Sequence, residues 1–216
     1  MFRKILIGAV LVVSCASANA VPVLVEGFDD VTQLGAAGWL SGNFSTPVGD
    51  SDWFQGNTGI FDAAAGPADS YIAANFASAG FGGNVDNWLV TPLISAVSGS
   101  LISFSTRTAG NFPGDNLELL YNNTGSLALS DFVSIGTIGS AGYPLDWTNF
   151  DFIYTGADAA TRFAFRYTVS DTSVNGDYIG IDSLVVDVPE PGTMMLLGAG
   201  LLLMPLTLRR RRRDQI

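Results

Sequence analysis

Short segments in which apolar and polar side chains alternate run through the chain from residue 23 to residue 188. In residues 162–167 the three aromatic side chains fall on one side of an extended segment, while Arg162, Ala164 and Arg166 fall on the other. Clusters of Gly, Asn, Asp and Pro separate these segments, none of which has a convincing helical period. The pattern predicts an all-β domain, an antiparallel sandwich. In segment 162–167 the aromatic side is expected to face the core, and the other side to face solvent or acidic neighbours.

Nine segments are predicted strands: 23–28, 70–76, 88–93, 101–108, 117–121, 132–138, 150–154, 162–168 and 178–188. Residues 35–67 are Gly-rich but contain five large aromatic residues, so we expect an ordered, packed excursion. The acidic loop 171–177 contains Asn175-Gly176-Asp177 without a complete EF-hand pattern, which predicts a hairpin turn.

The N-terminus has the three parts of a secretory signal peptide over residues 1–20. Arg3 and Lys4 precede an apolar run at 5–13, and small residues follow. Ala18 and Ala20 fit the pockets of signal peptidase, so cleavage is expected after Ala20. Residues 12–15 also resemble a lipobox, and the alternative is a lipid-modified Cys15 as the new N-terminus.

At the other end, Val188, Pro189, Glu190, Pro191 and Gly192 precede an apolar stretch at 193–208 and five arginines at 209–213. Residues 188–216 resemble a PEP-CTERM sorting signal. As a transmembrane helix the apolar stretch would span about 24 Å, short of the roughly 30 Å of a hydrocarbon core. A transient stop-transfer helix is therefore expected, with the arginines in the cytoplasm. The alternative is an ordinary single-pass anchor.

The resemblance implies an exosortase as partner, which recognises the segment from Val188 to Pro191 and cuts near Glu190. It also implies the route of the protein in a Gram-negative bacterium. The chain is exported, anchored for a time in the inner membrane, and then moved to the cell surface or extracellular matrix. Exopolysaccharide or other surface glycans are the expected partners there.

The part between the two end segments, residues 21–190, is long enough for one domain. It holds three arginines and nineteen acidic residues, a formal net charge of −16, whereas the whole chain carries −10. Such a domain repels nucleic acid, and it repels anionic polysaccharide unless cations bridge the two. Calcium is a natural counter-charge.

Residues 21–190 contain no histidine, cysteine or lysine. This composition excludes Ser-His and Cys-His nucleophiles, thiolate or imidazole zinc sites, Schiff-base chemistry and disulfides. Carboxylate pairs such as Asp29 with Asp30, or Asp50 with Asp52, are the remaining candidates for a glycosidase. Aspartates next to Gly and Ser are more typical of turns, so we expect the domain to have no catalytic activity.

Seven short motifs together resemble the choice-of-anchor J domain, which is similar to cleaved-adhesin and MAM-like jelly rolls. They are Glu26-Gly27-Phe28-Asp29, Gly38-Trp39, Trp53-Phe54-Gln55-Gly56-Asn57, Asp69-Ser70-Tyr71-Ile72-Ala73-Ala74-Asn75-Phe76, Asn87-Trp88-Leu89-Val90-Thr91-Pro92, Ser103-Phe104-Ser105-Thr106-Arg107 and Gly180-Ile181-Asp182. The resemblance covers residues 21–187 and implies a non-catalytic jelly-roll sandwich.

Related jelly rolls often carry a structural calcium ion that ties the first strand to the last. The resemblance assigns this ion to Glu26, Asp69 and Asp182, whose hard oxygen atoms suit calcium. The alternative is that Glu26 is an edge charge and Asp182 a polar strand residue.

The four tryptophans are candidates for stacking on sugar rings, although such residues are more often core. Trp39 and Trp88 are expected in the core, and Trp53 and Trp147 are left as candidates for glycan stacking. The leading functional hypothesis is a surface or matrix protein that acts by adhesion or by association with exopolysaccharide. A carbohydrate-binding module with a defined glycan is the alternative, followed by a carboxylate-dependent glycosidase.

Overall fold

A computed structural model describes residues 20–110, 113–139 and 142–190. The predictions for the signal peptide, Ala18, Cys15, Pro191 and the apolar span at 193–208 lie outside these residues. Within the described ranges, no helix is long and apolar enough to cross a membrane. Val21–Pro189 forms a compact unit with its own hydrophobic core.

Thirteen strands form this unit in the part of the chain that is described. They are β1 (Ala20–Glu26), β2 (Leu40–Asn43), β3 (Thr46–Val48), β4 (Phe54–Gln55), β5 (Ile72–Asn75), β6 (Ala79–Val90), β7 (Ile94–Ala96), β8 (Leu101–Thr108), β9 (Asn116–Asn122), β10 (Val133–Ile138), β11 (Thr148–Ile153), β12 (Ala159–Val169) and β13 (Tyr178–Pro189). Three single-turn 3₁₀ helices lie at Val31–Gln33, Phe76–Ser78 and Leu129–Asp131.

The strands form two sheets that pack face to face. The first has the order β11-β8-β13-β5-β4, with β1 also paired to β13. The second has the order β10-β9-β12-β6-β2, with β3 also on β6 and β7 on β12. Neighbours along both orders run antiparallel. The predicted all-β antiparallel sandwich is confirmed.

The core is made by the inward side chains of both sheets. In β12, Phe163, Phe165 and Tyr167 are each fully buried. Phe165 meets Phe104 of β8 edge to face, with ring centroids 4.9 Å apart, so the two rings join the sheets. On the other side of β12, Arg166 contacts Asp86 and Glu118. The predicted aromatic core face is confirmed. On the other face only Arg166 meets acidic neighbours, because Ala164 is fully buried in a second apolar cluster and Arg162 donates to a backbone carbonyl.

All nine predicted strands are present, and all except β8 have shifted ends. The excursion at 35–67 is ordered, as predicted, and contributes β2, β3, β4 and the buried Phe61. Trp39 and Trp88 are 3% and 4% exposed, which confirms that both are core residues.

The prediction of a hairpin at 171–177 is wrong. The loop does turn sharply, with Asp171 and Gly176 at positive φ. However, it leads from β12 in the second sheet to β13 in the first. The segment is therefore an arch across the sandwich, because the apolar faces of β12 and β13 are buried against each other across the core and not side by side in one sheet.

Candidate functional site

Asp182 is a buried carboxylate on the outer face of the first sheet, 1% exposed. The register of β13 against β8 shifts between Asp182 and Val185, and Ser183 has a φ of 55°. Ile181, the preceding residue, belongs to the core, so Asp182 lies on the opposite side of the strand, towards the loop that contains Ala64 and Ala65. Its Oδ2 accepts hydrogen bonds from the backbone amides of Ala64 and Ala65, at 2.8 and 3.0 Å. Burial raises the pKa of Asp182, and these amide donors partly offset the shift.

The other two residues of the expected calcium set have separate contacts. Glu26 is half-buried and accepts the amide of Phe28 at 2.8 Å. Asp69 is exposed, and its carbonyl oxygen accepts from Gln55 at 2.6 Å. Among the described residues, no three acidic side chains converge closely enough to hold a metal ion. A calcium ion near Asp182 would need backbone carbonyls and water for most of its six to eight oxygen ligands, and calcium stays a prediction.

The two tryptophans proposed for glycan stacking are both half-buried. Trp53 packs against the main core and lines a small cleft of about 120 Å³ with Trp39 and Leu89. Trp147 packs edge to face against Phe61 and Tyr71 and donates from Nε1 to the carbonyl oxygen of Asp62 at 2.8 Å. Both indoles thus have a packing role, and their contact with sugars stays a prediction.

Three of the aspartates considered for glycosidase chemistry, Asp29, Asp30 and Asp52, accept hydrogen bonds within the protein. Asp30 caps the first 3₁₀ helix by accepting the amide of Thr32 at 3.0 Å. Asp29 accepts the hydroxyl of Ser70, and Asp52 accepts the amide of Trp53 at 2.8 Å. The contact of Asp30 is that of a capping residue, whereas the contact of Asp29 joins two segments 41 residues apart in the sequence.

A groove of about 460 Å³ lies on the outer face of the second sheet, near the ends of β6, β9 and β12. Its lining is mostly polar: Thr46, Asn84, Asp86, Asn116, Arg166, Thr168 and Ser170, with Phe44, Val85, Gly114 and Val169. Neighbouring strands bring these side chains together, since Thr168 pairs with Asp86 on one side and with Asn116 on the other.

Arg166 is held rigidly in this groove. Its Nε and one terminal nitrogen donate to the two oxygens of Asp86, at 2.7 and 3.0 Å. The other terminal nitrogen lies 3.6 Å from Glu118. The guanidinium carbon lies 5.2 Å from the centroid of the Trp88 ring, and Trp88 also donates to Asp86 at 2.7 Å. The hydrogen bond with Asp86 raises the pKa of Arg166, which stays charged.

Sequence reasoning missed this groove. It assigned Arg166 to a face that meets acidic residues but did not identify Phe44, Asn84 or Asn116 as functional. The only available signal was the polar side of the alternating strands, because no local motif links residues from four separate segments.

Comparison with known proteins supports the two parts of the chain separately. Residues 187–213 match the family model of the PEP-CTERM protein-sorting motif. A search of curated proteins finds no significant match. Val188, Pro189, Glu190 and Pro191 lie within the matched segment, which indicates export, surface sorting and processing by an exosortase.

The β-sandwich is similar in fold to cleaved adhesin domains of Lys-gingipain. The K1 domain, from Porphyromonas gingivalis W83, is 17% identical with a TM-score of 0.56, over 77% of this chain and 98% of that one. The K3 domain is 18% identical with a TM-score of 0.54, over 79% and 99%. At this identity the likeness shows the fold alone. The protein is thus a jelly-roll β-sandwich with a C-terminal sorting motif, and the narrower choice-of-anchor J assignment stays a prediction.

Proposed function

We propose that this is an exosortase-sorted protein of the cell surface or extracellular matrix, whose jelly-roll domain acts without catalysis in adhesion or association with exopolysaccharide. The observation that carries the proposal is the PEP-CTERM motif at 187–213, which starts at the end of the last core strand. The last fully buried residue of β13 is Val186. Cleavage near Glu190 would therefore release the tail and leave every core residue in the sandwich.

The sorting step is tested by expression in a host that has an exosortase. We expect mass spectrometry to show a C-terminus near Glu190 and fractionation to place the protein outside the inner membrane. The matched control replaces Pro189, Glu190 and Pro191 with alanine, which should leave the apolar span in place and block processing. An intact tail on wild-type protein that stays in the inner membrane would instead identify a simple anchor.

Export is expected to end with cleavage after Ala20 by signal peptidase. Ala20 is exposed at the first position of β1, so cleavage there leaves the remainder of that strand on the mature protein. N-terminal sequencing of the exported protein should begin at Val21. A lipid-modified Cys15 would contradict this prediction and would favour the lipoprotein alternative.

The non-catalytic part of the proposal is supported by the contacts of Asp86, which lines the groove, and of Glu118, which lies beside it. The oxygens of Asp86 accept from Arg166 and Trp88, and Glu118 lies beside the same guanidinium. A glycosidase needs two carboxyl groups about 5 to 10 Å apart that are open to substrate and water. We expect purified protein to release no reducing sugar from polysaccharides; measurable release would support the glycosidase alternative.

A further inference from the structure

The groove on the second sheet combines one exposed aromatic ring with a polar floor. Phe44 is 53% exposed and lines its edge. The Phe44 ring lies against the backbone of Gly42, where an added Cβ would come within 2.8 Å of it. The backbone on both sides of Asp86 fixes this segment: the amide of Phe44 donates to the Asp86 carbonyl at 2.8 Å, and the Asp86 amide donates to Ser45 Oγ at 3.0 Å. The backbone of this segment is therefore fixed, and the Phe44 ring lies on Gly42 as an apolar surface open to solvent.

The polar floor presents both donors and acceptors. Asn116 donates to Thr168 Oγ1 at 3.1 Å, and Asn84 accepts the amide of Asp171 at 3.1 Å. Within the described residues, Asn116 Oδ1 and Asn84 Nδ2 have no hydrogen-bond partner, so an acceptor and a donor remain for a ligand. The hydroxyls of Thr46 and Ser170 are further polar groups in the lining.

The charge of the groove disfavours an ionic ligand. Arg166 is its single cationic side chain among the lining residues, and Asp86 and Glu118 already bind it. The surrounding domain carries a net charge of −16, so an anionic chain is repelled. The arrangement lacks the unpaired carboxylates that a cationic ligand needs. It matches a neutral ligand that has many hydroxyl groups and at least one apolar face.

A hexopyranose unit has this chemistry, because the C–H bonds on one face of its ring stack on an aromatic ring while its hydroxyls both donate and accept. The groove volume, about 460 Å³, falls within the range of ligand sites. We infer that the groove at Phe44, Asn84, Asn116 and Arg166 binds a neutral polysaccharide chain. This inference rests on the proposed surface function and specifies the class of glycan that the domain retains.

The inference is tested on purified residues 21–190, the compact unit with its own core. Affinity electrophoresis is run in gels that contain a neutral polysaccharide (mannan, xylan, xyloglucan, galactomannan or β-1,3-glucan) or the anionic alginate. Phe44→Ala removes the aromatic surface and Asn116→Ala removes the amide acceptor. Phe81→Ala is the matched control, since Phe81 is 90% exposed and does not line the groove. Thermal unfolding checks that each variant is folded.

We expect wild type and Phe81→Ala to be retarded equally by at least one neutral polysaccharide and not by alginate. Phe44→Ala and Asn116→Ala should each weaken that binding by about tenfold. The inference is overturned if no neutral gel retards the wild type or if Phe44→Ala binds as wild type does. It is also overturned if Phe81→Ala loses as much binding as Phe44→Ala. The processing assay is independent of the groove: normal processing without glycan binding overturns only the groove, and glycan binding without processing overturns only the sorting proposal.

Discussion

The buried carboxylate of Asp182 joins β13 to the loop that contains Ala64 and Ala65 through two hydrogen bonds. Asp182→Ala leaves the amides of Ala64 and Ala65 without their acceptor, and a hydrogen bond to a charged group contributes about 1.5 to 3 kcal/mol. We expect the free energy of unfolding in urea at pH 7 to fall by that amount. Asp187→Ala is the control, since it removes the same charge from the same strand and, among the described residues, its side chain accepts no hydrogen bond. Equal losses in the two variants would contradict the role of Asp182.

Asp177 lies beside the buried Asp115, whose Oδ1 accepts both the amide of Asp177 and the hydroxyl of Tyr167, at 3.0 and 2.7 Å. Burial, and then the negative charge of Asp115, raise the pKa of Asp177 above its ordinary value of 3.8. The native state therefore binds the proton more tightly than the unfolded chain does. The contribution of Asp177 to the stability of the native state must therefore fall as the pH rises from 3.8 through the raised pKa.

Asp177→Asn removes this charge and keeps an oxygen that can accept the amide of Tyr178, which Asp177 now accepts at 3.0 Å. We expect the variant to be more stable than wild type at pH 7 and the difference to vanish below pH 3.8. Urea unfolding at several pH values measures both limits. A difference that stays constant with pH would show that the buried negative charge of Asp177 is not its cause.

At the scale of the strand, β12 supplies the most deeply buried aromatic face. Phe165 is fully buried and contacts Phe104 across the core, so Phe165→Ala should lower the free energy of unfolding by about 3 to 5 kcal/mol. Phe81→Ala removes the same side chain from an exposed site on β6 and should change it by less than about 0.5 kcal/mol. Denaturant unfolding of the two variants checks the contrast. A small loss for Phe165→Ala would mean that the two sheets repack around the cavity.

Strands were predictable where alternation continued over six residues or more. β8 was predicted with its observed ends, and β12 was predicted apart from its first three residues and its last one. β3 and β4 were missed because two or three residues are too few to establish a period of two. β6 starts at Ala79, well before the predicted residue 88, since Gly80, Gly82 and Gly83 supply no side-chain pattern.

The pairing of strands and the make-up of the groove were not predictable, because both depend on contacts between distant segments. Turn residues at 171–177 specify a sharp turn but not the sheet that receives the next strand. Likewise, Asp86 and Asn116 become neighbours of Thr168 only through the register of β6 and β9 on β12. The resemblance assigned Asp182 to a calcium site, which stays a prediction, and the two backbone amides that Asp182 contacts have no sequence signature.

For the whole molecule, acidity is the dominant property. Each of the three arginines in residues 21–190 already has a local role. Arg107 lies over Phe61 at 4.4 Å, Arg162 donates to the carbonyl of Thr91 at 2.7 Å, and Arg166 is bound in the groove. The other acidic side chains therefore keep most of their mutual repulsion, which weakens the folded state. Bound cations would relieve it.

Calcium is the cation expected from the family resemblance, and we propose that it binds in a site that includes Asp182. Such an ion would stabilise the junction where β1 pairs with β13, in a domain without disulfides. An ion that binds only the native state adds about 2.7 kcal/mol at 100 times its dissociation constant. In a domain of this size that gain raises the melting temperature by several degrees.

Thermal unfolding of residues 21–190 with calcium, magnesium or a chelator, at matched ionic strength, tests this proposal. We expect calcium to raise the melting temperature more than magnesium does, and Asp182→Ala to lose the excess. Asp187→Ala should keep it, because the variant has the same net charge but an intact Asp182. General screening acts on all carboxylates alike, so it predicts the same response to both ions in all three proteins. That result would remove calcium as a specific ligand and leave the amides of Ala64 and Ala65 as the partners that keep Asp182 buried.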